Sequence, residues 1–180
     1  MYNKFIVNVE AAIFRSDKWL IIKISEKEEH APGVLSLVGG KVEVESDTPG
    51  ILEKTIKREI KEEVGIEVLD DVFYVESKSF TINSGEQVID IVFLCRYKSG
   101  EPVSLSEEEV AGVSWLSLDD ILASDKAPYY LKDSIKKAEM IRLAVTALLL
   151  KCGGWQNDTR IESRHGGNCG SRPEMGRKRS

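Results

Sequence analysis

"REIKEEVGI", Arg58 to Ile66, packs Glu59, Glu62 and Glu63 into little more than one helical turn, and "GGKVE", Gly39 to Glu43, lies a short way upstream. Three carboxylates held that close repel one another unless a positive charge sits between them. Each residue of a helix advances about 100°. Glu59 and Glu63 are therefore neighbours at i,i+4, and Glu59 and Glu62 at i,i+3. From Leu52 the apolar positions Ile56, Ile60 and Val64 recur every fourth residue, so one side of this helix faces a core. The carboxylates lie beside that stripe, at its rim. Gly65 stops the helix, and Thr48 or Asp47, just before Pro49 and Gly50, supplies a cap. Oxygen ligands in this pattern suit magnesium, which fills its remaining positions with water and substrate phosphates. The chain has two histidines, neither near the carboxylates, and this disfavours a histidine-rich zinc site. A second reading is open at this level: "KREIKEE" as a solvated helix face held by pairs such as Arg58 with Glu62.

Outward from the helix, the pattern is that of a mixed α/β protein. "KFIVNVEAAIF" and "KWLIIKIS" read as a first hairpin across "RSDK". "EKEEHAPGVLSLVGG" is a loop leading into one short extended piece. After the helix, "VFYVESKSFTI" and "QVIDIVFLCRY" form a hairpin across "NSGE". "GVSWLS" is a short strand, "LDDILAS" a brief helix, and "YYLKDSIKKAEMIRLAVTALLLK" a long one ended by Gly153 and Gly154. The order β-β-β-α-β-β-β-α-α predicts a mixed central sheet covered by helices.

The 180 residues, 42% hydrophobic and 31% charged, suit one soluble domain with an extension. We place the domain at 1–152 and a polar, basic, disordered tail at 153–180. From Lys151 onward the chain carries seven basic and three acidic residues, leaving the preceding body at −9 within a net charge of −5. An acidic body is unsuited to polymeric nucleic acid, whose binding relies on Lys and Arg. It is compatible with small phosphorylated ligands, because a bound cation reverses the local sign. Three cysteines at wide spacing, Cys95, Cys152 and Cys169, do not form a disulfide framework. Cys95 reads as a buried thiol. No signal-peptide pattern and no run of 18 apolar residues is present, so the expected compartment is the cytoplasm and no membrane is expected as a partner.

The box residues resemble those of the Nudix hydrolase family (MutT-like). The family's pattern is Gly, five residues, Glu, seven residues, then Arg-Glu-apolar-x-Glu-Glu-x-Gly-apolar. Gly40 matches the first glycine, and Arg58, Glu59, Ile60, Glu62, Glu63, Gly65 and Ile66 match the second half in full. The resemblance covers roughly residues 3–150, including the Trp-containing "GVSWLSLDDIL". It departs at one place. The first box Glu falls at Ser46, with Glu45 beside it, and eleven residues separate position 46 from Arg58. An insertion of four residues around "SDTPG" accounts for both.

The resemblance implies a Nudix-type α/β/α sandwich and Mg2+-dependent cleavage of a diphosphate linkage in a nucleoside diphosphate derivative, with Mn2+ as the alternative ion. The substrate is nucleotide-like: a nucleoside triphosphate, a nucleotide sugar or a dinucleotide polyphosphate. Glu62 and Glu63 match metal ligands, Glu59 a position that binds metal or activates water, and the carbonyl of Gly39 a further ligand. A plain turn glycine is the other reading of Gly39. Arg58 orients a helix carboxylate, or is purely structural. One of Glu107, Glu108 and Glu109 joins the site from a later loop, and Glu109 is our choice. Trp19, Tyr74 and Phe80 are candidates for stacking on a base and also for core. Cys152, His165 and Cys169 offer only three of the four ligands of a structural zinc site. Homodimers are common in the family. The proline near residue 81 expected of ADP-ribose types and the "SQPWPFPxS" sequence of NADH-pyrophosphatase relatives are absent. The alternative function is a non-catalytic nucleotide-sensing or interaction domain on the same scaffold. A diphosphate isomerase would instead need a cysteine at the site.

Overall fold

The computed structural model describes residues 4–28, 31–43 and 49–151, with side chains described as far as residue 148. The elements are β1 (Phe5–Arg15), β2 (Lys18–Ile24), β3 (Leu35–Ser36), β4 (Val38–Lys41), α1 (Ile51–Val64), β5 (Glu67–Thr81), β6 (Gln87–Ser99), β7 (Val110–Ser117), α2 (Leu118–Ala123) and α3 (Tyr129–Lys151). They form an α/β sandwich around one mixed seven-stranded sheet. β1 and β6 run parallel through its centre, and the other pairings are antiparallel.

Side chains alternate across a strand, so β1 feeds two cores. Val9, Ala11 and Ile13 pack with Ile56, Ile60 and Val64 of α1. Ala12 and Phe14 pack on the opposite face with Leu131, Ile135 and Ala138 of α3. The fourfold apolar spacing of α1 thus fixes which side of that helix the carboxylates occupy.

The sheet forks between its first two strands. β1 pairs with β2 only at Ile13–Leu20, Phe14–Trp19 and Arg15–Lys18. Earlier in β1, from Asn8 to Ala11, the strand pairs with β4 instead, while β2 pairs with β3. β7 lies along the other edge of β2. The segment containing β3 and β4 therefore fills the fork, and β4 carries Gly39 and Gly40.

Three expectations need correction. The single extended piece before α1 is two strands, divided at Leu37, because its halves pair with different neighbours. β5 starts at Glu67, five residues before Val72. Its pairing with β6 is irregular between Val68 and Val72, and this accommodates the strand-averse Asp70 and Asp71. The N-cap of α1 is Gly50, in a left-handed conformation (φ 67°) with no side-chain cap, and its carbonyl accepts the first helical bond from Lys54. Asp47 and Thr48 lie outside the described residues, as do Glu45, Ser46 and everything from Cys152 to Ser180. Gly65 ends α1 as expected, with φ 71° and its N–H donating to the Lys61 carbonyl. Among the described residues no helix is long and apolar enough to cross a membrane.

Candidate active site

The carboxylates of α1 open into a cavity of about 580 Å³ in the fork of the sheet. Arg58, Glu59, Glu62 and Glu63 line it from α1, Gly39 and Gly40 from β4, and Glu109 from the loop before β7. The sequence-predicted site residues are thus brought to one place. Glu63 is buried at 6% exposure, while Glu62 lies at the rim with its side chain 59% exposed. A uniformly solvated helix face is therefore excluded.

Burial pushes the Glu63 carboxyl up to about 8, and the nearby Glu59 and Glu109 charges push the same way against a hydrogen bond from the Gly39 backbone. Burial also raises Glu59, partly offset by Arg58. Arg58 forks between two carboxylates: Nη2 donates to Glu59 Oε1 at 2.6 Å and Nη1 to Glu62 Oε2 at 2.8 Å. Burial disfavours the Arg58 charge, but Glu59 and Glu62 outweigh it and raise its pKa.

Both glycines mark close approaches. A Cβ on Gly39 would stand 2.1 Å from the Val9 carbonyl oxygen, and one on Gly40 would stand 2.4 Å from the Glu59 carboxyl carbon. Gly39 lies within β4 rather than at a turn. Of the three loop acids, Glu108 pairs with Lys27 at 2.7 Å, and Glu109 lines the cavity while accepting a 2.8 Å bond from Ser106 Oγ.

The donor set fits a hard divalent cation. Every ionisable ligand candidate around the α1 carboxylates is an oxygen acid, and oxygen donors are what such a cation takes. Among the described residues, no three acidic, histidine or cysteine side chains already converge tightly enough to hold an ion. Arg58 presently occupies one oxygen each of Glu59 and Glu62.

Sequence reasoning missed a second polar wall. Asn8 and Glu10 of β1 line the same cavity from the α3 side of the sheet. Asn8 Nδ2 donates to Asp90 Oδ1 at 2.8 Å, and Lys78 Nζ lies 3.3 Å from both Glu10 Oε2 and Asp90 Oδ2. Burial and the neighbouring Asp90 push Glu10 up to about 8 against the pull of Lys78. The signal was available: Asn8 and Glu10 share a strand face with the apolar Ala12 and Phe14, and Asp90 interrupts "VIDIVFL". Of the proposed stacking residues, Trp19 is core at 1% exposure, while Tyr74 and Phe80 are exposed on β5 and are not part of the cavity wall. Cys95 is buried, and burial pushes its thiol up to about 12, which makes it no candidate for proton transfer here.

An α/β sandwich with a glycine-lined, carboxylate-rich cavity beside its first long helix defines a class of phosphate-handling domain. A family model described as the NUDIX domain matches residues 4–137, and the chain belongs to that family. It is 30% identical over 141 residues to the NAD-capped RNA hydrolase NudC of Mannheimia succiniciproducens, covering 76% of this chain and 46% of that protein. It is 32% identical over 123 residues to a Nudix hydrolase, YfcD, of Shigella flexneri, covering 66% and 61% respectively. The chain thus spans about half the length of the curated relatives it matches. A solved MutT NUDIX hydrolase from Burkholderia pseudomallei superimposes with a TM-score of 0.63 at 26% identity, covering 75% of this chain and 98% of that one.

Proposed function

We propose that this protein hydrolyses the diphosphate linkage of a nucleoside diphosphate derivative with the help of Mg2+ or Mn2+. The observation that carries the reading is the convergence of Glu59, Glu62, Glu63 and Glu109 on one cavity, with Glu63 buried and its acid form favoured. Four acids facing one space cost stability unless the site exists to meet positive charge.

Glu62 and Glu63 would hold the ion, together with Glu59 and the Gly39 carbonyl. When bound, the ion neutralises charge developing on the phosphoryl oxygens and acidifies a water. Glu59 or Glu109 accepts the proton of the attacking water. The water oxygen bonds to phosphorus, the bridging P–O bond breaks, and the leaving phosphate carries away the electron pair. Arg58 holds Glu59 and Glu62 in place by its two-pronged contact. The substrate is a small nucleotide-like molecule: a triphosphate, a nucleotide sugar or a dinucleotide polyphosphate. The relative NudC is described as a hydrolase of NAD-capped RNA, and NAD itself contains a diphosphate joining two nucleosides. The acting form is cytoplasmic and requires no membrane.

The test measures phosphate-containing products over a panel of nucleoside diphosphate derivatives with Mg2+ or Mn2+. Turnover by wild type, with large losses in Glu62→Gln and Glu63→Gln, is expected. Equal behaviour of wild type and both variants sinks the catalytic reading. Nucleotide binding without any product identifies the sensing or interaction domain instead.

A further inference from the structure

We infer that Ser106 is a positioning residue: its hydroxyl holds Glu109 toward the α1 carboxylates, so that this acid stands ready at the site instead of turning into water. The inference rests on the diphosphate reading and adds what keeps its loop acid in place. Glu107, Glu108 and Glu109 follow one another, yet they are placed differently. Glu108 is drawn aside by Lys27, at 2.7 Å. Of the three, Glu109 lines the cavity, and its charge acts on both Glu59 and Glu63. Like charges at such range repel. Glu109 is also exposed. A long side chain with free torsions and a repulsive neighbourhood rotates into solvent unless a bond holds it.

Glu109 is held by its main chain and by its side chain. Its N–H donates to the Ser106 carbonyl at 3.0 Å, and its own carbonyl accepts from the Ser25 N–H at 2.8 Å. Ser25, on the other side of that bond, is buried at 5% exposure. The Glu109 carboxylate accepts from Ser106 Oγ at 2.8 Å. The loop around it is anchored to α1 itself. Leu105 N–H donates to the Glu63 carbonyl at 2.9 Å, and Val103 N–H to the Val64 carbonyl at 3.2 Å. Those carbonyls belong to the last turn of the helix, which leaves them without a helical partner. Ser104 Oγ then closes the loop by donating to the Val110 carbonyl at 2.5 Å. The backbone that carries Glu109 is thus fastened to the residue that carries the buried Glu63 carboxyl. With that backbone fixed, the side-chain torsions of Glu109 remain, and the Ser106 hydroxyl is the bond that sets them. A carboxylate oriented in advance needs no reorganisation at the moment of reaction, and a partner that orients it acts on the rate without touching substrate.

The test is a double-mutant cycle over Ser106→Ala and Glu109→Ala, with Ser106→Thr as the conservative variant. Two quantities are read: kcat and KM with Mg2+ on the substrate wild type turns over best, and calorimetric binding of Mn2+ alone to the metal-free protein. Ser106→Ala is expected to lower kcat by about tenfold with KM little changed, and to weaken Mn2+ binding by about threefold. Ser106→Thr keeps the hydroxyl and restores both. Glu109→Ala loses at least as much, and adding Ser106→Ala to it changes nothing further. A serine that merely stiffens the loop would cost the same with alanine at position 109 as with glutamate. Thermal unfolding confirms that each variant is folded. Equal behaviour of wild type and Ser106→Ala in both measurements, losses that add in the double variant, or a Glu109→Ala variant without effect overturns the inference. If wild type yields no product while the Mn2+ pattern holds, the hydrolase reading fails and the positioning role stands. Absence of Mn2+ binding overturns both.

Discussion

Gly40 stands so close to Glu59 that a Cβ at position 40 would lie 2.4 Å from the Glu59 carboxyl carbon. The neighbour that must yield is the end of a flexible side chain. Gly40→Ala is therefore expected to leave stability within about 1 kcal/mol of wild type but to displace Glu59. Activity should fall by about tenfold to hundredfold, as when a partner that orients a metal ligand is lost. At Gly39 the obstacle is the Val9 carbonyl, which is backbone. Gly39→Ala must open the pairing of β4 with β1 and should cost about 1–3 kcal/mol. Denaturant unfolding of the two variants, set beside their kinetics, checks the contrast.

Arg58 links Glu59 and Glu62 across one turn of α1. Its side chain is 40% exposed, so Arg58→Ala should change stability by no more than about 1 kcal/mol. Activity should drop further, by about tenfold to hundredfold. Arg58→Lys keeps the charge but loses the fork, and should recover only part of that loss. Steady-state kinetics over a Mg2+ titration shows whether the defect lies in metal affinity.

Glu63 makes metal-free stability depend on pH. Its carboxyl moves from an ordinary 4.5 to about 8 on folding, chiefly through burial. The folded state then holds the proton more tightly than the unfolded chain. The contribution is fully present below 4.5 and is lost as the pH rises through about 8. Glu10 acts in the same direction. In chelator, the melting temperature should fall across that window, and Glu63→Gln should flatten the fall. Mg2+ binding should release a proton and restore stability at the alkaline end. Calorimetry in buffers of different ionisation enthalpy counts the proton.

Lys78 is the shared cation of Glu10 and Asp90. Lys78→Met leaves two buried acids facing each other and should destabilise the fold by about 3–5 kcal/mol near neutral pH. Adding Asp90→Asn should recover part of this, because a neutral amide replaces one charge and Asn8 retains a hydrogen-bonding partner. Chemical unfolding of the single and double variants measures the recovery.

Much of the fold was legible because period and punctuation are local. The fourfold apolar spacing from Leu52 to Val64 and the stop at Gly65 define α1, and alternation defines β1, β2 and β6. Where pairing partners decide, local pattern fell short. The extended piece before α1 became two strands only because β1 and β2 part company. β5 began early because a strand irregularity absorbs Asp70 and Asp71. Tyr74 and Trp19 look alike as aromatic strand residues, yet one is exposed and the other is core.

By itself, the sequence determined the spacing of Glu59, Glu62 and Glu63 on one helix and the glycines that precede it, since both follow from chain geometry over a few residues. The tertiary structure alone decided which acids are buried, that Glu109 rather than Glu108 faces the cavity, and that Asn8 and Glu10 share it. Burial and cross-strand neighbourhood depend on residues distant in the chain, as Asn8 and Asp90 are. Those long-range contacts, not residue type, set the charge and aim of a side chain.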